Sequence, residues 1–407
     1  MNMIKRSNDK SFRDWIYLVL LGSIGFSMLG IHLIMNVLHF PIFFIEWLYI
    51  PIIYVNRRKA ARKLSRINVY HLGLLILMFM SSVYGIVDSG SASFLAEYRS
   101  IIYLLALYRF EKDKGFQHHY IDFLYICLFA TISELLYVAV FATRTIVSST
   151  NCLAASIAIL GFFISERYKT GLFAFIISML TGILSGYRIG IVLSALSLLL
   201  ACCYNIFHSN ENEAFIKKIR KLTYVVFVFS VMFYFIGNYE SIVMVLASRL
   251  NMDQFAIFRV TTRMRSILTM DFSQSQDTER LRIWTIPFTD FFASILPRGF
   301  IRTPGLYIDV PLLILYDVFG SLVSWLIIVY IVFKGFQAVR KLKRYGNILS
   351  VDQRRCAQIS IYIMPVLTML LLLNGTFIKN LYQAIQTGIM LGLLVHTANY
   401  TKKSGIT

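Results

Sequence analysis

The chain contains no Asp-x-Asp pair, no Gly-rich phosphate loop of the Walker type and no Cys-x-x-Cys spacing. The first absence removes a carboxylate pair that could hold a divalent ion for metal-dependent transfer. The second argues against an ATP-driven pump. The third leaves neither a disulfide framework nor a zinc site, because Cys127, Cys152, Cys202, Cys203 and Cys356 lie singly or as neighbours in or beside apolar runs. The seven histidines are scattered, and the one adjacent pair, His118 and His119, falls in a basic inter-run segment. No metal and no cofactor is expected. Charge is also scarce, at 15% of 407 residues, and acids are scarcer than bases, at 21 against 40.

Hydrophobic residues make up 57% of the chain, more than a soluble domain can hide. They are blocked into runs of about twenty residues, the length that crosses a bilayer as a helix. Continuous runs without strict alternation argue for helices rather than a barrel. The runs are 15–35, 37–55, 67–87, 93–109, 120–141, 151–165, 170–187, 189–207, 222–240, 310–333, 356–377 and 381–400. The expectation is an all-α polytopic membrane protein of about twelve spans, one transmembrane domain over 1–407. The first run follows a basic segment and lacks a small-residue cleavage site, so it reads as a retained span.

Orientation follows from the loops. The basic segments are 1–14, 56–66, 110–119, 166–169, 208–221, 334–355 and the tail after 400. They fall on every second loop, so all can face the cytoplasm, with both termini inside. The net charge of +19 is then mostly a topology signal, and no nucleic-acid partner is implied.

Lysine and arginine part company on the other side. Of 16 lysines, only Lys379 lies outside the expected cytoplasmic segments. Of 24 arginines, 11 lie on or near the outer side: Arg99, Arg144, Arg188, Arg249, Arg259, Arg263, Arg265, Arg280, Arg282, Arg298 and Arg302. Eight of these belong to one long outer loop, 241–309, which has no lysine and six acids. The loop also holds amphipathic stretches such as "LRIWTIPFTDFFASIL", suited to short helices on the membrane surface or over a cavity. Guanidinium is a planar fork that matches phosphate or carboxylate oxygens in a bidentate way. Arginine without lysine therefore suits a fixed anionic group such as a pyrophosphate. The competing reading is ion pairing within the loop together with lipid headgroup contact. Arg259 and Arg263 stand four apart, so on a helix they share a face and repel unless an anion sits between them.

Arg188 stands apart from the loop, in "LSGYRIGIV" (184–192), inside about forty almost wholly apolar residues. The pattern places it at the outward turn between the seventh and eighth spans. Ser185, Gly186 and Gly190 surround it, and small residues let helices approach closely. A charge there is either a ligand group or an arginine snorkelling from a helix end.

These residues carry a family resemblance. "SGYR" (Ser185–Arg188) resembles the small-Gly-x-Arg element of the bacterial O-antigen polymerase and ligase superfamily. "ERLRIW" (Glu279–Trp284) resembles its Arg-x-x-x-Trp element, with Arg280 and Trp284 in register. "LPRGF" (Leu296–Phe300) is similar to the Pro-x-Gly segment that follows. "YIDVPLLILYDVFGSLVSWL" (Tyr307–Leu326) resembles the closing element, with Asp309 and, eleven residues later, Gly320. The ordered set covers roughly 170–335. Ligase-type members carry His-Asn where this chain has Asp309 and Val310, and the second glycine of the Gly-x-Gly element is missing. An acid at that position looks more like the repeat-unit polymerases.

The resemblance implies a metal-independent glycosyltransferase of the GT-C type in the bacterial inner membrane. It would join undecaprenyl-pyrophosphate-linked repeat units, as donor and acceptor, on the outer face, into O-antigen or capsular polysaccharide. A chain-length regulator, a flippase and membrane lipids are the implied partners. Such a transfer needs donors for the departing pyrophosphate and a base for the acceptor hydroxyl. Arg188, Arg280 and either Arg263 or Arg298 fit the first role. Asp309 is the first choice for the second and Glu279 the alternative. Asp309 equally suits a helix cap before Pro311. Arg259, Arg282, Arg302, Arg99, Tyr187 and Trp284 complete the expected substrate-binding set.

Two other functions remain open. One is a ligase of the same superfamily, disfavoured by the missing histidine. The other is a lipid-linked oligosaccharide flippase or secondary transporter, for which acids in or near spans (Glu46, Glu97, Asp122, Glu134, Asp317) would count. A transporter should spread its cations along a central cavity between two similar halves. This chain has no internal repeat and gathers its outer charge in one loop.

Overall fold

The computed structural model describes residues 37–39, 69–89, 101, 120–141, 152–185, 188–207, 237–249, 291–297, 311–373 and 381–400, with single positions between 219 and 234, between 254 and 265, and at 289. Among them every regular element is helical and none is a strand. The α-helices are α1 (Val69–Ser89), α2 (Tyr120–Phe141), α3 (Cys152–Ile164), α4 (Tyr168–Ser185), α5 (Arg188–Phe207), α6 (Tyr239–Arg249), α7 (Pro311–Phe319), α8 (Ser321–Tyr345), α9 (Val351–Tyr362), α10 (Met364–Leu373) and α11 (Leu381–Ala398). Four described stretches are long and apolar enough to cross a bilayer: Tyr120–Val140, Tyr168–Ser185, Ser321–Tyr345 and Val351–Leu372. This is the pattern of a helical membrane protein. The runs 15–35, 37–55, 93–109 and 222–240 lie outside the described residues, apart from isolated positions.

The helices belong to two compact units. In the first, α2, α4 and α5 gather around α3 and α6 packs on α4. All thirteen residues of α3 are buried, from Cys152 to Ile164, against α2, α4 and α5. A helix apolar on every face needs such an all-round cover. Its turn into α4 is three residues long, with Glu166 in the left-handed region at φ 62°. Arg167 seals that turn by donating to the Tyr125 hydroxyl at 2.8 Å. Runs 120–141, 151–165, 170–187 and 189–207 of the sequence reading appear as α2 to α5 with ends shifted by at most two residues.

In the second unit α7 packs on α1, α8 and α10, while α11 packs on α8 and α9. Here the structure departs from the hydropathy pattern. The run 310–333 is not one span. It breaks at Gly320 into the nine-residue α7 and the long α8. At about 1.5 Å per residue α7 is too short to cross a membrane. α8 then continues twelve residues beyond 333, so the first half of the basic segment 334–355 is helix rather than loop. The charged residues there are still good helix formers, and hydropathy sees only the apolar half.

The eleventh span likewise starts at Val351 instead of 356. Ser350 and Gln353 form a capping box, each side chain bonding the other's backbone N–H at 3.2 Å. That signature satisfies two orphan donors of the first turn and fixes the start.

Candidate functional site

Arg188 is the first residue of α5. The helix before it ends at Ser185, so the sequence places the arginine at the mouth of a tight helical hairpin. Small residues draw α4 and α5 together. The Ser178 and Ser194 hydroxyls meet at 2.6 Å in the buried interface. Gly182 lies so close to α5 that a Cβ there would come within 2.6 Å of Ile191 Cγ1. The hydroxyls of Ser194, Ser197 and Thr181 also bond back to their own helices at 2.7 to 2.8 Å. Every buried hydroxyl named here therefore has a partner, as an apolar setting requires.

A cation at this position has the wrong sign for its helix. The N-terminus of a helix carries about half a positive charge and unpaired N–H groups. Arginine adds to that charge rather than balancing it. The N–H groups of that helix end favour an anion at this mouth.

α6 packs against α4 of the same unit. It runs from Tyr239 to Arg249, so the first nine residues of the predicted loop 241–309 are helical. Glu240 accepts from the Tyr239 hydroxyl at 2.7 Å and from Arg265 Nη2 at 3.1 Å. Arg265 and Glu240 are both exposed. Arg265, expected on the outer side, is thus satisfied within the chain, and its acid is Glu240, just before the loop rather than among the six acids within it. The signal was the "YE" pair at the end of the ninth run, which hydropathy does not weigh.

Part of the amphipathic stretch of the loop is also in view. Phe292–Ser294 forms a single 3-10 turn. It does not lie free, because the Ser321 hydroxyl donates to the Phe291 carbonyl at 2.6 Å. Gly320 explains the close approach: its φ is 80°, and a Cβ there would collide with the Ile295 carbonyl oxygen. Only glycine can both turn the chain and admit this backbone. The bend brings α7 back toward α8, so that Trp325 Nε1 donates to the Tyr316 hydroxyl nine residues earlier. Along a straight helix those residues would be about 13.5 Å apart. Leu312 and Tyr316 then form a small core with Trp325 and Ile328, and Ser81 of α1 donates to the Asp317 carbonyl at 3.0 Å. The segment after Asp309 is therefore a short packed helix opening on Pro311, not the top of a membrane span.

Tyr187, Arg99, Arg259, Arg263, Glu279, Arg280, Arg282, Trp284, Arg298, Arg302 and Asp309 lie outside the described residues, and Arg188 is described in its backbone alone. Among the described residues no group of three or more His, Cys, Asp and Glu could hold a metal ion. Glu134 of α2 is 2% exposed, an acid enclosed within an apolar helix packing. In comparisons with known proteins, no protein-family model and no curated protein matches this chain.

Proposed function

We propose that the chain is a bacterial polysaccharide repeat-unit polymerase of the O-antigen polymerase and ligase superfamily, with about twelve spans and a GT-C-like arrangement. It acts in the inner membrane, with both termini cytoplasmic, on undecaprenyl-pyrophosphate-linked oligosaccharides at the outer face. The observation that carries this reading is Arg188 at the N-terminus of α5, on the side where arginine occurs almost without lysine. A pyrophosphate leaving group supplies the anion that both features lack. Arg188 and Arg280 stabilise its departing charge, with Arg263 or Arg298 as a third donor. Asp309 or Glu279 takes the proton from the acceptor hydroxyl. The glycosidic bond to the carrier breaks, the bond to the new repeat unit forms, and lipid pyrophosphate leaves.

A second reading has its own observation. Buried Glu134 inside α2 is what an ion-coupled flippase would use. Deletion of the gene, followed by gel analysis of the surface glycan, separates these. A polymerase predicts loss of the ladder with single repeat units retained. Loss of every repeat unit from the surface would point to the flippase, and accumulation of lipid-linked polymer to a ligase.

A further inference from the structure

We infer that the hollow between α8 and the end of α11 binds the phosphate of an anionic phospholipid headgroup. It is lined by Lys334, Gln337, Arg340, Lys341, Ala398 and Asn399. Three of these six side chains are cations and none is an acid. Lys334, Gln337 and Lys341 follow one another at three and four residues, so they share a face of α8. Lys334 and Lys341 stand about two turns apart on that face, so an anion between them is attracted by both.

The lysine is held ready rather than neutralised. Lys334 Nζ donates to Gln337 Oε1 at 3.0 Å and to Asn399 Oδ1 at 2.7 Å, and lies 5.6 Å from the Tyr330 ring centre. Both acceptors are neutral amides. An ammonium has three donors, so one is left for a ligand. The stretch 334–350 contains five cations, Lys334, Arg340, Lys341, Lys343 and Arg344, and no acid. None of the five is paired with an acid among the described residues.

Position on the helix selects a lipid over a free phosphate. Before Lys334, α8 runs through thirteen uncharged and mostly apolar residues, about 20 Å of helix. Leu326, Val329, Val332 and Phe333 stand outward along it, between 48% and 61% exposed. Acyl chains cover that face, and the hollow begins where it ends, at the depth of headgroup phosphates. A basic hollow between helices on the side expected to be cytoplasmic is suited to an anionic headgroup. The assignment does not rest on the polymerase reading.

The test uses the purified full-length protein in neutral detergent. Native mass spectrometry counts retained dioleoyl phosphatidylglycerol, against phosphatidylcholine with the same chains and against added inorganic phosphate. At about 1 kcal/mol for each basic residue near an anionic headgroup, the variant K334Q/R340Q/K341Q should bind phosphatidylglycerol about a hundredfold more weakly. K343Q/R344Q, which removes two charges from the same helix outside the hollow, should stay within about twofold of the parent. Phosphatidylcholine should not be retained, and inorganic phosphate should not displace the lipid. Should the triple variant fail to fold, R340Q alone, at an exposed position, should weaken binding by about fivefold. Equal loss in K343Q/R344Q, equal retention of phosphatidylcholine, displacement by inorganic phosphate, or no change in R340Q would each overturn the assignment.

Discussion

Two helical turns in this chain solve the same problem by different means. The α4–α5 turn at Arg188 joins helices through small residues and one hydroxyl pair, Ser178 with Ser194. The α7–α8 bend at Gly320 depends on a distant piece of chain, since the Phe291 carbonyl accepts from Ser321 and the Ile295 carbonyl lies against Gly320. The first is a local device, encoded within about twenty residues. The second is non-local, tying residue 320 to residues some twenty-five positions earlier. The local turn has an arginine as the first residue of its second helix, whereas the non-local one anchors part of the long loop.

That contrast can be broken by substitution, starting with the bend. Gly320→Ala forces a side chain into a backbone region reserved for glycine and against the Ile295 carbonyl, costing about 1–3 kcal/mol from the backbone alone. A marked fall in the thermal midpoint of the purified protein is expected, together with faster proteolysis in 291–297. An unchanged midpoint would mean that the bend can be redrawn. Gly182→Val tests the local turn by overpacking the approach to Ile191, at a cost of about 1–3 kcal/mol with some relief from side-chain movement. Its effect should appear in the midpoint and in glycan length together, because α4 and α5 frame Arg188. Ser178→Ala should cost about 0.6 kcal/mol, in line with measured interhelical hydrogen bonds in membranes. A denaturation series in mild detergent can resolve that from zero. Arg265→Gln should leave the glycan ladder unchanged, since this arginine is committed to Glu240. A shortened ladder would move Arg265 into the substrate-binding set.

The same contrast shows what a sequence can reveal. The α4–α5 turn was legible because a small-residue rhythm and an isolated arginine both fall within one short window, and α4 and α5 end within two residues of the expected bounds. The Gly320 break was not, because 310–333 is apolar throughout and hydropathy cannot tell one helix from two. What decides it is a carbonyl contributed by Ile295, invisible to any local pattern. The start of α9 occupied a middle ground: "SVDQ" spells a capping box, a signal that an apolar-run count passes over. For the candidate site, the excess of arginine over lysine in 241–309 was legible from counts alone. The pairing of Arg265 with Glu240 was not, since it joins residues 25 positions apart.

In the proposed polymerase, Arg188 grips a pyrophosphate through a guanidinium fork. The most direct test of that grip is the Arg188→Lys protein, expressed at matched levels in the deletion background, with surface glycan resolved on a gel. Lysine keeps the charge but loses the planar bidentate contact. Collapse of the ladder to single repeat units, as for Arg188→Ala, is the expected result. A ladder of normal length in Arg188→Lys would contradict it.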